Sequence, residues 1–126
     1  MYSNDKEQEK KDLFIFDDII EKSLFTRKQI SIIYNKLNGV KIDESISSGA
    51  YYRQVKQCRN KIYSLLYTIL LFKILKIIDD KTFVIIESIV EKLYSLSQEG
   101  NNHIDDPLPQ DVINVIDKII KKTLNI

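Results

Sequence analysis

The chain has 126 residues, 44% of them hydrophobic and 29% charged, with 19 Lys/Arg against 18 Asp/Glu for a formal net charge of +1. A chain of this length forms one domain and buries roughly 65–70% of its unfolded surface on folding, enough for a core without covalent staples. A single cysteine excludes an internal disulfide framework, and three glycines and one histidine leave little for phosphate loops or metal clusters.

The N-terminus is acidic and polar, where a secretory signal would begin basic and turn apolar. The most apolar stretch, Ile62–Ile78, is 17 residues long and carries Lys73 and Lys76, short and charged for a membrane span. The expectation is a soluble, cytoplasmic protein. Net charge hides a strong asymmetry. Residues 1–21 hold three Lys/Arg against seven Asp/Glu, net −4; residues 22–61 hold nine against two, net +7; residues 62–126 hold seven against nine, net −2. Positive charge gathered in one 40-residue block is the footprint of a nucleic-acid-binding surface. The plainer reading is that lysines solvate helix faces in a Lys- and Ile-rich chain.

In chain order, Met1–Lys11 is polar and reads as a tail. Asp12 is placed to cap a first helix containing Leu13, Phe14, Phe16, Ile19, Ile20 and Leu24, with an amphipathic stripe at three- and four-residue steps. Thr26 followed by Gln29 is a capping-box pattern. The helix it opens carries Ile30, Ile33, Tyr34 and Leu37 on one face and ends at Asn38-Gly39, glycine suiting the left-handed position after a helix.

Val40–Ser47 is a connector about eight residues long, and Ser47 or Ser48 caps the next helix. Its inward face is Val55, Cys58, Ile62, Leu65 or Leu66, and Ile69; Arg53, Lys56, Asn60 and Tyr63 lie opposite, with Tyr52, Gln57 and Arg59 on the margins. From Leu65 to Ile78 the pattern is apolar nearly all round, so that part needs cover on every side, some of it from a second copy. Asp79-Asp80-Lys81-Thr82 reads as a turn. Phe83–Leu96 follows as a helix with Ile86, Ile89, Val90 and Leu93 on one face, its start readable instead as the strand of a winged helix. Ser97–Asp111 reads as a linker loop, and Asp111 as the cap of a final helix with Val112, Val115, Ile116, Ile119, Ile120 and Leu124 inward. Lys118, Lys121 and Lys122 near its end complement the helix dipole.

Catalytic and cofactor chemistry finds few residues. His103 beside Asp105 and Asp106 is one histidine with two carboxylates and no second cluster, a poor metal site. Cys58 has no histidine near it in sequence and falls on the buried face, where a packed thiol is the natural reading. No enzyme, cofactor, metal or small-molecule ligand is expected.

Phe25-Thr26-Arg27-Lys28-Gln29 through Lys61-Ile62 resembles archaeal helix-turn-helix regulators, with a fainter likeness to the helix-turn-helix units of LuxR-type proteins and sigma-factor region 4. The shared features are the Thr-capped Arg-Lys-Gln helix, the Asn-Gly turn and the Ser-Ser-Gly-Ala-Tyr-Tyr-Arg-Gln opening of the next helix, over about 40 residues. The connector is longer than the three- or four-residue turn of the tightest such units and short for an additional LuxR-type helix. The Ile and Lys bias is compatible with an AT-rich, archaeal genome. The resemblance implies a dimeric, sequence-specific regulator of transcription.

The expectation is therefore an all-α fold: a helix-turn-helix domain over residues 12–96 with a long central helix, a linker at 97–111, and a terminal helix at 112–126 that folds back or reaches across to a partner chain, the C-terminal helices serving dimerisation. Duplex DNA is the expected partner. Arg53, Gln54, Lys56, Gln57 and Asn60 would reach base edges, and Arg27, Lys28, Ser48, Tyr52, Arg59 and Lys61 would hold phosphates. Two other functions fit the same residues: a helical protein-interaction adaptor using Leu65–Ile78, and a binder of RNA or single strands stacking bases on Tyr52 and Tyr63.

Overall fold

A computed structural model describes residues 13–40, 46–99, 108–124 and 126. Five helices account for most of them: α1 (Asp17–Lys22), α2 (Arg27–Leu37), α3 (Ser48–Ile74), α4 (Asp80–Glu99) and α5 (Gln110–Thr123). No strand occurs among the described residues. The winged alternative for Phe83–Ile86 gives way to helix, because those residues lie inside α4. Asp12, His103, Asp105 and Asp106 fall outside the described residues.

The local signals around α2 and α3 act as their chemistry requires. The Thr26 hydroxyl accepts from the Gln29 backbone N–H at 3.1 Å, and Gln29 Oε1 accepts from the Thr26 N–H at 2.9 Å, closing both halves of the capping box. At the other end Gly39 has φ +67, and the Val40 N–H donates to the Asn35 carbonyl at 2.9 Å, a Schellman turn. Ser47 caps α3 by accepting from the Ala50 N–H at 3.2 Å.

The end of α3 departs from expectation. The helix stops at Ile74, four residues before the apolar run does, because Lys76 takes up a left-handed conformation at φ +57. The Ile77 N–H then donates to the Phe72 carbonyl at 2.8 Å, and the Lys76 N–H to Lys73 at 3.2 Å. This is the same Schellman geometry with lysine where glycine is usual. Asp79 Oδ1 accepts from the Lys81 N–H at 3.1 Å and starts α4.

Packing divides into two small apolar clusters. In one, Ile32 of α2 meets Tyr51 and Cys58 of α3, with Ile33, Ile46 and Val55 around them. Cys58 is 3% exposed, and burial pushes its thiol pKa up, against a smaller pull downward from Lys61. In the other, Ile15, Leu108 and Ile113 are buried with Phe16, Ile19 and Leu93 against them, so the last helix folds back on the segment around Ile15. The Leu108 N–H donates to the Ile15 carbonyl at 3.3 Å.

That contact accompanies a second departure from expectation. The expected N-terminal helix is interrupted by a turn at Ile15 and Phe16, leaving Ile15 buried and Leu24 69% exposed. In the last helix Ile113 is the buried residue, at 4%, and Val115 and Leu124 are more than half exposed. Asp111 is not its cap, since α5 starts at Gln110 after Pro109. α4 also runs on through Ser97–Glu99, residues expected to be loop.

Candidate nucleic-acid interface

The candidate site is built on the α2–α3 pair. Neither helix contains a carboxylate anywhere along its length. Ordinary helices favour acids in the first turn, where the dipole is positive; here that end is left to cations and polar groups. The arrangement costs helix stability and favours an incoming anion.

At 100° per residue, Tyr51, Val55, Cys58 and Ile62 turn toward α2. Tyr52, Arg53, Lys56, Gln57, Arg59, Asn60 and Tyr63 form the opposite, exposed face. Lys36, from the last turn of α2, joins them. Together with Val55, Lys36, Tyr52, Lys56, Arg59, Asn60 and Tyr63 line a concave surface of about 550 Å³. None of Lys36, Arg53, Lys56 or Arg59 is in an ion pair among the described residues. Unneutralised cations without an acid beside them raise the local potential and leave their donors available to phosphate.

The other expected contacts are placed differently. Lys28 and Ser48 are exposed near the starts of α2 and α3, although Ser47, not Ser48, makes the cap. Arg27 is ion-paired with Asp17 and ties α1 to α2. Lys61 donates to Gln29 Oε1 at 3.2 Å and lies 4.8 Å from the centre of the Phe25 ring, fastening α3 to the start of α2. Gln54 lies on the inner side, its Oε1 buried without a hydrogen-bond partner. The structure thus places six of the eleven expected residues on this face, Tyr52, Arg53, Lys56, Gln57, Arg59 and Asn60, with Lys28 and Ser48 exposed near the starts of their helices. Arg27 and Lys61 are committed to packing, and Gln54 is turned inward.

Sequence reasoning missed Lys36 as a site residue and left Tyr63 outside the proposed contacts. Lys36 could have been found by its place in the final turn of α2, pointing toward the start of the next helix. For chemistry of another kind, no group of three or more His, Cys, Asp or Glu among the described residues is arranged to hold a metal ion. No described helix is long and apolar enough to cross a membrane. Comparison with protein families, with curated proteins and with solved structures finds no match to this chain.

Proposed function

We propose that this chain is a non-catalytic protein that binds duplex DNA through the N-terminal half of α3, acting as a sequence-specific regulator of transcription. The observation that carries the reading is the absence of carboxylates from α2 and α3, with Lys36, Arg53, Lys56 and Arg59 all exposed and outside ion pairs among the described residues. An exposed helix of this width fits the major groove. Arg53, Lys56, Gln57 and Asn60 carry the side chains that pair with guanine and adenine edges, while Lys28, Lys36, Ser48, Tyr52 and Arg59 would hold phosphates.

The test is fluorescence anisotropy with duplex DNA across a salt series. Three phosphates neutralised by Lys28, Lys36 and Arg59 predict an affinity loss on the order of 40-fold between about 50 and 200 mM salt. Arg53→Ala should cost about 1–3 kcal/mol on a preferred sequence and relax the choice of base at one position. An absence of binding at low salt, to any nucleic acid, sinks the reading.

Tyr52 and Tyr63 flank the basic concavity and are 60% and 63% exposed, which favours a second reading in which unpaired bases stack on them. Tighter binding to a single strand than to its duplex, with quenching of tyrosine fluorescence that Tyr63→Ala removes, would select it.

A further inference from the structure

The basic face of α3 continues past Tyr63 as an apolar one. Tyr63, Leu66, Tyr67, Leu70, Leu71 and Ile74 are each between 51% and 67% exposed. The seam through Tyr63, Tyr67, Leu70 and Ile74 advances by four, three and four residues, the a/d spacing of helices that pack on one another. The rings of Tyr63 and Tyr67 already lie against each other, 4.9 Å between centroids, and hold this surface in shape. Ile62–Phe72 carries no charge, and α3 packs mainly on α2, with no more than a glancing contact to α4 among the described residues.

We infer that this face is covered by α3 of a second copy of the chain, the two helices running antiparallel. Area comes first. The six side chains leave on the order of 700 Å² open, more than a monomer ordinarily exposes in one patch and close to the ~800 Å² per partner of a stable interface. Charge then sets the direction. A parallel pair would stack the two basic blocks at Lys56 and Arg59 side by side. An antiparallel pair centred near Thr68 sets Ile74 level with Ile62 of the other copy. Asp80, held 3.7 Å from Lys73, then comes near the end of the other copy's basic block.

The apolar overlap stops where the basic residues begin, so both basic faces project beyond it. By helical rise the two Lys56 positions then lie about 36 Å apart along the pair, close to one turn of DNA at ~34 Å. Only this spacing rests on the nucleic-acid reading; the pairing itself does not.

Sedimentation equilibrium of the full chain, with and without Leu66→Glu/Leu70→Glu, tests the pairing. The expected result is twice the 14.8 kDa chain mass for the wild type and the single mass for the double variant, with helical circular dichroism unchanged. In a Cys58→Ala background, oxidation should link Tyr67→Cys to its own copy and leave Tyr63→Cys unlinked, because only positions near the two-fold axis face themselves. A wild type that stays monomeric, or a dimer that survives the Glu pair, overturns the inference. Equal linking at Tyr63→Cys overturns the antiparallel direction. If the Glu pair lowers helicity, Leu66→Gln/Leu70→Gln is held to the same two masses. A dimer that ignores nucleic acid would leave this inference standing and remove the functional one.

Discussion

The two halves of α3 lie on one continuous helix and present one continuous outer face, yet they are chemically opposite. Through Asn60 that face holds Arg53, Lys56, Gln57 and Arg59; from Tyr63 it holds Leu66, Tyr67, Leu70 and Ile74. Their inner sides differ as well. Tyr51 and Cys58 are buried on α2, whereas no residue of α3 beyond Cys58 is buried. Helical backbone hydrogen bonds run through both halves alike, so the backbone does not choose a partner. The side chains do: the first half combines a small core with a charged exterior, and the second leaves apolar surface in water at about 25 cal/mol per Å². One helix can therefore serve two interfaces without a hinge between them.

The largest expected effect that could break this contrast is in the core. Tyr51→Ala should cost about 3–5 kcal/mol by chemical denaturation, while Leu66→Ala, on the same helix, should change the stability of a monomer by no more than about 0.5 kcal/mol. Comparable losses at both would mean that the second half is packed within the chain. Next comes charge reversal. Lys56→Glu/Arg59→Glu should weaken binding to duplex DNA at least ~100-fold with helicity retained, and unchanged binding would move the site off this face.

Gln54→Leu separates packing from recognition. With its Oε1 buried and unpartnered, the variant should be more stable by about 1 kcal/mol and bind nucleic acid as the wild type does. Lost binding with no gain in stability would place Gln54 among the contacts. At the end of the second half, Lys76→Gly should raise the thermal midpoint through a gain of up to about 1 kcal/mol, since glycine carries no Cβ penalty at φ +57.

The smallest effect is the pH dependence from Cys58. Its folded pKa is raised above the ordinary 9.0, so its contribution to stability is complete below that value and is lost as the pH rises through the folded pKa. Cys58→Ala should flatten the alkaline side of the stability profile. A thiol reagent should modify the wild type only as fast as the α2–α3 contact opens.

Much of the α2–α3 unit was legible because its signals are local. A hydroxyl at Thr26 with an amide three residues on, an Asn-Gly stop and a serine cap each act within one turn of chain, and each is made as written. The exposed residues Arg53, Lys56 and Asn60 followed from phase alone, since Cys58 and Val55 fix which side faces in. Lys61 was not legible as a packing residue. Its partner Gln29 lies 32 positions away, and nothing in the neighbouring sequence marks a lysine that folds back over Phe25. The halt of α3 at Ile74 was equally hidden, because lysine in a left-handed conformation carries no sequence signature.

By itself the sequence determined an α-helical class, with a strand left open at Phe83–Ile86, the caps and turn of α2 and α3, and the concentration of positive charge in one block. Those depend on periodicity, short-range hydrogen bonds and composition. Tertiary structure alone decided that Ile15 is buried under Leu108 and Ile113, that Arg27 is given to Asp17, and that Lys36 joins the face of α3. Such choices arise where segments distant in sequence compete for the same surface, and a one-dimensional pattern records what each side chain is, not which neighbour reaches it first.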